Sequence, residues 1–185
     1  MMLQKYKNFV LFILILNCFS FGCTQRDQNM AIGKELQTGD PAPRFTLNDQ
    51  HGQLFSLDSL IGKMAIVLFF YPKDESYGCT KEACSFRDSY EDFKDAGAEV
   101  IGISADDEAS HKSFAANHKL PFILLSDPGR KVAENYGVGK SLGILPGRVT
   151  FVIDKQGIIR GRYSSQLNFG KHIEEALTAI RASSK

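Results

Sequence analysis

The sequence lacks an excess of charge of either sign: 22 Lys and Arg stand against 21 Asp and Glu, with no basic cluster on any predicted face. That removes the electrostatic footprint of a nucleic-acid-binding protein. There is no phosphate loop, no flavin or nicotinamide motif and no clustered set of metal ligands, so neither cofactor nor metal is expected. The four histidines, His51, His111, His118 and His172, are scattered and read as surface residues. Internal repeats and low-complexity tracts are also missing. Cysteine is scarce, with four in 185 residues, and no two are separated by two residues. The motif of thioredoxin-like oxidoreductases is therefore absent.

Length and a composition of 43% apolar and 23% charged residues suit one globular domain able to bury its own core. The N-terminus differs in kind. Lys5 and Lys7 precede an apolar run from Phe9 to Leu16, and small or polar residues lead to Gly22 and Cys23. The run is short of the roughly 20 residues that a membrane span needs, so residues 1–23 read as a signal peptide. Their end resembles a bacterial lipoprotein signal, which makes Cys23 the lipidation candidate and implies membrane attachment through that lipid. Ser20 and Phe21 depart from that pattern, and cleavage as an ordinary export signal is the alternative. The leader is not rich in serine and arginine as a plastid transit peptide is, and the expected location is the bacterial cell envelope. Residues 24–38 are polar and aperiodic and read as a tether, with the folded domain spanning 39–185.

The domain is organised around residues 64–88. Met64 to Tyr71 has the length and composition of a buried strand, ended by Pro72, which removes a ladder donor. Cys79, Ala83, Phe86, Tyr90 and Phe93 then recur along one face of a helix. Cys79 thus sits in the first helical turn, where unpaired amides and the helix dipole favour a thiolate, the reactive form of cysteine. The lesser alternative is that Cys79 is a small buried hydrophobe that happens to start a helix. With Cys18 and Cys23 in the leader, Cys79 and Cys84 are the thiols of the domain. A structural bridge between them would close too small a loop to add much stability.

Elsewhere, 45–47 and 53–57 flank Asp49-Gln50-His51-Gly52 as a short hairpin, and 98–104 is a second buried strand. Asp106 and Asp107 mark a helix start, 122–125 a further strand, and Asp127-Pro128-Gly129 a turn into a helix ended by Gly137. Residues 148–154 and 158–163 form a hairpin, followed by a helix from about Gly170. Alternating strands and helices that finish on a hairpin predict an α/β fold with a mixed central sheet and helices on both faces.

Three segments together resemble the peroxiredoxins of the bacterioferritin-comigratory or Q type. They are Phe70 to Glu75 running into Gly78 to Asp88, then Ser126-Asp127-Pro128, then Gly147 to Asp154. The resemblance implies a thioredoxin-like fold with an N-terminal hairpin, and thiol-dependent reduction of hydrogen peroxide and organic hydroperoxides; separately, a monomer is expected. It makes Cys79 the peroxidatic and Cys84 the resolving cysteine, joined by a Cys79 to Cys84 disulfide that a thioredoxin-like protein reduces. The family's proline, threonine, cysteine and arginine map onto Pro72, Ser76, Cys79 and Arg148. Where such proteins read Thr-Pro-Gly-Cys, this chain has Ser76-Tyr77-Gly78-Cys79; the hydroxyl survives, while Tyr77 frees the backbone and adds bulk.

These residue types suit the chemistry. Breaking an O–O bond requires a thiolate in line with it and donors for the charge on the departing oxygen. First-turn amides, the Ser76 hydroxyl and the Arg148 guanidinium are the available donors. Without the resemblance, Arg148 is a solvated strand-end charge and Ser76 a helix cap. Glu82 reads as ordinary first-turn dipole chemistry, outside the site. Residues five apart on a helix differ by about 140° and about 7.5 Å in rise, too far for a disulfide, so the resemblance also predicts that residues 79–85 unwind in each cycle. Two other readings stay open: an exported thiol-disulfide oxidoreductase, and a non-enzymatic metal-binding lipoprotein using both cysteines and a histidine.

Overall fold

A computed structural model describes residues 35–141 and 145–183. The chain divides into two units, 1–30 and 31–185, and all described residues lie in the second. The expected signal peptide, Cys23 and most of the tether lie outside them. Packing begins early, because Leu36 is already buried in the core and Gly39 N donates to the Ile159 carbonyl at 2.8 Å.

β1 (Thr46–Asp49) and β2 (Leu54–Ser56) form the expected hairpin, and β3 (Ala65–Phe70) is the expected central strand. α1 (Tyr77–Asp88) and α2 (Tyr90–Asp95) follow, then β4 (Ala98–Ser104), α3 (Glu108–His118) and β5 (Ile123–Ser126). After α4 (Lys131–Asn135), β6 (Lys140–Ser141) and β7 (Leu145–Pro146) make a small separate ladder. β8 (Val149–Ile153), β9 (Ile159–Ser164) and α5 (Phe169–Ser183) complete the domain. The main sheet has the order β2-β1-β5-β4-β3-β8-β9. β3, β4 and β5 are parallel, while β1 and β8 pair antiparallel to them, which gives the mixed sheet.

All six residues of β3 are buried, because each face of the sheet carries its own core. Ile66, Leu68 and Phe70 face one core and Val67 and Phe69 the other, as the two-residue strand period requires. Phe69 stacks on Phe86 of α1 with ring centroids 4.5 Å apart, which docks the helix on the sheet. Gly102 on the neighbouring strand makes room for that ring, since a Cβ there would come within 2.7 Å of Phe69 and of Leu124.

The single helical face expected from Cys79 to Phe93 is broken at Ser89. That residue ends α1 and begins α2 with φ −104° and ψ 10°. Cys79, Ala83, Phe86 and Phe93 are buried as the spacing predicts, and Tyr90 is half-buried. The bend carries the second helix around the same aromatic cluster, with Phe86 and Phe93 centroids 5.8 Å apart.

Register places the site. Phe70, the last residue of β3, pairs with Val149, the first of β8, which in turn pairs with Ser164 at the end of β9. Antiparallel pairing therefore brings Arg148, the segment entering α5 and the loop before α1 to one end of the sheet.

Candidate active site

The loop between β3 and α1 is held by its own acids. Asp74 is buried and accepts from Tyr71 OH at 2.7 Å and Ser110 Oγ at 2.8 Å, with His111 Nδ1 also at 2.8 Å. His111 Nε2 faces the Leu125 carbonyl at 3.1 Å. Burial, then Asp74, pushes the Tyr71 hydroxyl well above its ordinary pKa, so it stays a neutral donor. Glu75 has φ +55°, a left-handed conformation unusual for a residue with a Cβ. Its carboxylate is tied to Asn117 Nδ2 and His118 Nε2, both at 2.9 Å. α3 thus grips two consecutive residues of the loop and sets the direction in which the next helix starts.

Ser76 is the N-cap of α1 by backbone position, although its hydroxyl makes no cap bond. The Oγ donates instead to the Lys73 carbonyl at 2.9 Å. Pro72 is half-buried at the loop's entry. Cys79 is the third residue of α1 and is buried, with only 1% of its surface exposed; Cys84 is half-buried, and both are free thiols. Tyr77, in place of the family's proline, is exposed, with Lys81 Nζ 4.7 Å from its ring centre.

Arg148 reaches Cys79 from 69 residues away: its Nη2 donates to Sγ at 3.2 Å. Arg148 is buried rather than a solvated strand-end charge, and its guanidinium lies 5.1 Å from the Phe169 ring centre. Its Nη1 donates to Oε2 of Glu82, also on α1. Glu82 therefore belongs to the site, which corrects its expected place among ordinary first-turn acids. Its side chain is wholly buried, and burial, opposed by Arg148, raises its pKa to about 7. His172 on α5 lies 3.4 Å from Glu82 Oε1 and is also fully buried. Burial lowers its pKa to about 4, so the imidazole is neutral over most of the working range.

Two of the four histidines expected at the surface, His111 and His172, are thus fully buried. Each is compensated by hydrogen bonds from segments distant in the chain, a pairing that local pattern does not reveal. Among the described residues no three His, Cys, Asp or Glu side chains converge as a metal site.

Gly78 permits the close approach of these groups. A Cβ there would stand 3.0 Å from the Phe169 ring and 3.3 Å from Arg148 Nη2. Gly78→Ala is expected to slow reaction with peroxide by about tenfold or more through displacement of that guanidinium. Thermal stability should fall little, since alanine is the better helix former. Stopped-flow peroxide kinetics beside a melting curve checks this; an unchanged rate would show that Phe169 yields without moving Arg148.

Comparison with known proteins follows the same residues. The sequence profile of the AhpC/TSA family matches residues 38–162. The chain is 55% identical over 149 residues to the chloroplastic peroxiredoxin Q of Arabidopsis thaliana, covering 80% of this chain and 68% of that one. It is 51% identical over 153 residues to the chloroplastic peroxiredoxin Q of Sedum lineare, covering 82% of each. Among solved structures, the peroxidoxin BcpB of Mycobacterium tuberculosis superposes with a TM-score of 0.75 at 38% identity, over 80% of this chain and 98% of that one.

These relatives also correct the expected location. The two peroxiredoxin Q relatives, of Arabidopsis thaliana and Sedum lineare, are chloroplastic proteins, which points to a plastid rather than a bacterial envelope. The physical reason is that a targeting segment is an address read by receptors, so the hydropathy of residues 1–23 does not itself specify the compartment.

Proposed function

Because the chain belongs to the AhpC/TSA family, and within it to the peroxiredoxin Q proteins, we propose that Cys79 attacks the peroxide and that Cys84 resolves the product. The protein is a thiol-dependent peroxidase of the thioredoxin-dependent kind. The observation that carries the residue assignment is the Arg148 guanidinium, buried and 3.2 Å from a sulfur in the first turn of a helix.

In this reading the Cys79 thiolate attacks one peroxide oxygen in line with the O–O bond. Arg148 and the first-turn amides stabilise charge on the reacting oxygens. Ser76 has committed its proton to the Lys73 carbonyl, so its hydroxyl offers lone pairs and accepts the O–H of the incoming peroxide. Pro72 lines the entry without a competing N–H. Hydrogen peroxide and organic hydroperoxides are the substrates. The sulfenic acid formed on Cys79 condenses with the Cys84 thiol, releasing water. A thioredoxin-like dithiol then reduces the bridge.

Both thiols lie on α1, five residues apart, where an intact helix holds them about 7.5 Å apart along its axis and pointing in different directions. Resolution therefore requires α1 to unwind locally. The gripped residues Asp74 and Glu75 and the break at Ser89 bound the segment that opens. Intact-mass analysis after one equivalent of peroxide is expected to show the loss of two hydrogens, and Cys84→Ser the gain of one oxygen. Amide exchange across residues 79–85 should be faster in the oxidised protein. A single added oxygen in the wild type, with equal protection in both forms, would remove Cys84 from the cycle.

A further inference from the structure

One buried pair takes no part in the chemistry above. Asp74, in the loop before α1, and His111, in α3, are both buried, with the carboxyl oxygen Oδ2 2.8 Å from the ring nitrogen Nδ1. Their hydrogens follow from their partners. His111 Nε2 lies 3.1 Å from the Leu125 carbonyl, which only accepts, so Nε2 carries hydrogen. The Asp74 carboxyl has two further partners, both hydroxyl donors: Ser110 Oγ reaches Oδ2 at 2.8 Å and Tyr71 OH reaches Oδ1 at 2.7 Å. The Tyr71 oxygen also stands 3.4 Å from Nδ1, but its single hydrogen is committed to Asp74.

A bare Nδ1 would set a nitrogen lone pair against an oxygen lone pair in a buried site, so a hydrogen lies between them. Two hydroxyl donors favour the ionised carboxyl, and a carboxylic acid is by nature a stronger acid than an imidazolium. That hydrogen therefore belongs to nitrogen. The ring donates from both sides, and one carboxylate balances its charge. The same loop residue is also held by its backbone: Asp74 N donates to Asp106 Oδ2 at 2.9 Å, and Asp106 in turn accepts from Ser104 Oγ at the end of β4, at 2.6 Å. Five residues further on, Cys79 has to meet a guanidinium 3.2 Å away. Sheet register places that guanidinium, whereas the loop places α1.

We infer that His111 is a positioning residue for the peroxide reaction: donating from both ring nitrogens, it ties Asp74 to the backbone of β5 and so fixes where α1, with Cys79, starts relative to Arg148. This rests on Cys79 and Cys84 acting as proposed above. The two steps of the cycle respond to the tie in opposite directions. Attack on peroxide needs the wound helix aligned with Arg148, so the tie speeds it. Disulfide closure needs α1 to open, so the tie holds it back. A residue that served stability alone would not divide the steps in this way.

Two measurements on the full chain test the role. Nitrogen-15 NMR of the reduced protein should show His111 with hydrogen on both ring nitrogens, the signals being assigned by their loss in His111→Phe. Asp74→Asn, whose amide donates to a bare Nδ1, should leave hydrogen on Nε2 alone. Rapid mixing with hydrogen peroxide well below each melting transition, quenched and read by intact mass, then follows the two steps. In His111→Phe, addition of oxygen to Cys79 is expected to slow by about tenfold or more, while disulfide closure becomes severalfold faster. If that variant does not fold, Asp74→Ala should show the same opposite shifts, and Asp74→Asn should recover most of the lost oxidation rate. A wild-type ring with one bare nitrogen overturns the inference. So does a folded His111→Phe or Asp74→Ala in which both steps stay within a few-fold of a normally active wild type, or slow alike. A wild type whose Cys79 does not react with peroxide overturns the proposed function instead, and this role with it.

Discussion

Cys79→Ser is expected to abolish peroxide consumption with a dithiol reductant, leaving only the uncatalysed background. Sulfur is replaced by oxygen of nearly the same shape in a buried position, so the fold is expected to survive with a melting temperature close to that of the wild type. The serine hydroxyl still accepts from Arg148, and the geometry persists. The electron supply does not, because an alcohol is ionised to a negligible extent at neutral pH and is a poor nucleophile toward oxygen. This substitution separates the peroxidase from a metal-binding role, in which a serine oxygen weakens binding but leaves peroxide untouched. Activity that persists in the folded variant would refute the assignment of the sulfur.

Arg148→Ala is expected to lower kcat/KM for peroxide by about 100- to 1,000-fold, the range for losing one preorganised donor at a site of developing charge. The guanidinium is 4% exposed and its donation to Cys79 Sγ is charge-assisted, so water does not readily replace it. Arg148→Lys should fall between the two, because it keeps the charge but loses the fork that serves Cys79 and Glu82 together. Rapid-mixing kinetics across pH, beside a melting curve for each variant, separates effects on reaction from effects on folding. A rate for Arg148→Ala within a few-fold of wild type would mean that helix amides alone supply the electrostatics and that Arg148 serves packing on Phe169.

Much of this was legible in the chain. The apolar run that becomes β3, the stop at Pro72 and the four-and-three spacing of Cys79, Ala83 and Phe86 are local patterns set by strand and helix periods. Cys79, Cys84, Ser76 and Arg148 were reachable through motif resemblance. Glu82 was misplaced because an acid in the first turns of a helix looks the same whether it faces water or a guanidinium 66 residues away. His111 and His172 were misplaced for the same reason, since their partners come from other strands and loops. The break at Ser89 escaped because the face it interrupts still points at one aromatic cluster on either side.

What the amino-acid order determined by itself was the set of elements and a sulfur at the mouth of a helix, since both follow from interactions between residues a few positions apart. Only the folded chain decided which charges stand against that sulfur. Antiparallel registration of β8 on β3 delivers Arg148 to it, and the return of α5 delivers His172 to Glu82. Side chains meeting across such distances in sequence are brought together by sheet pairing and core packing, which no local period encodes.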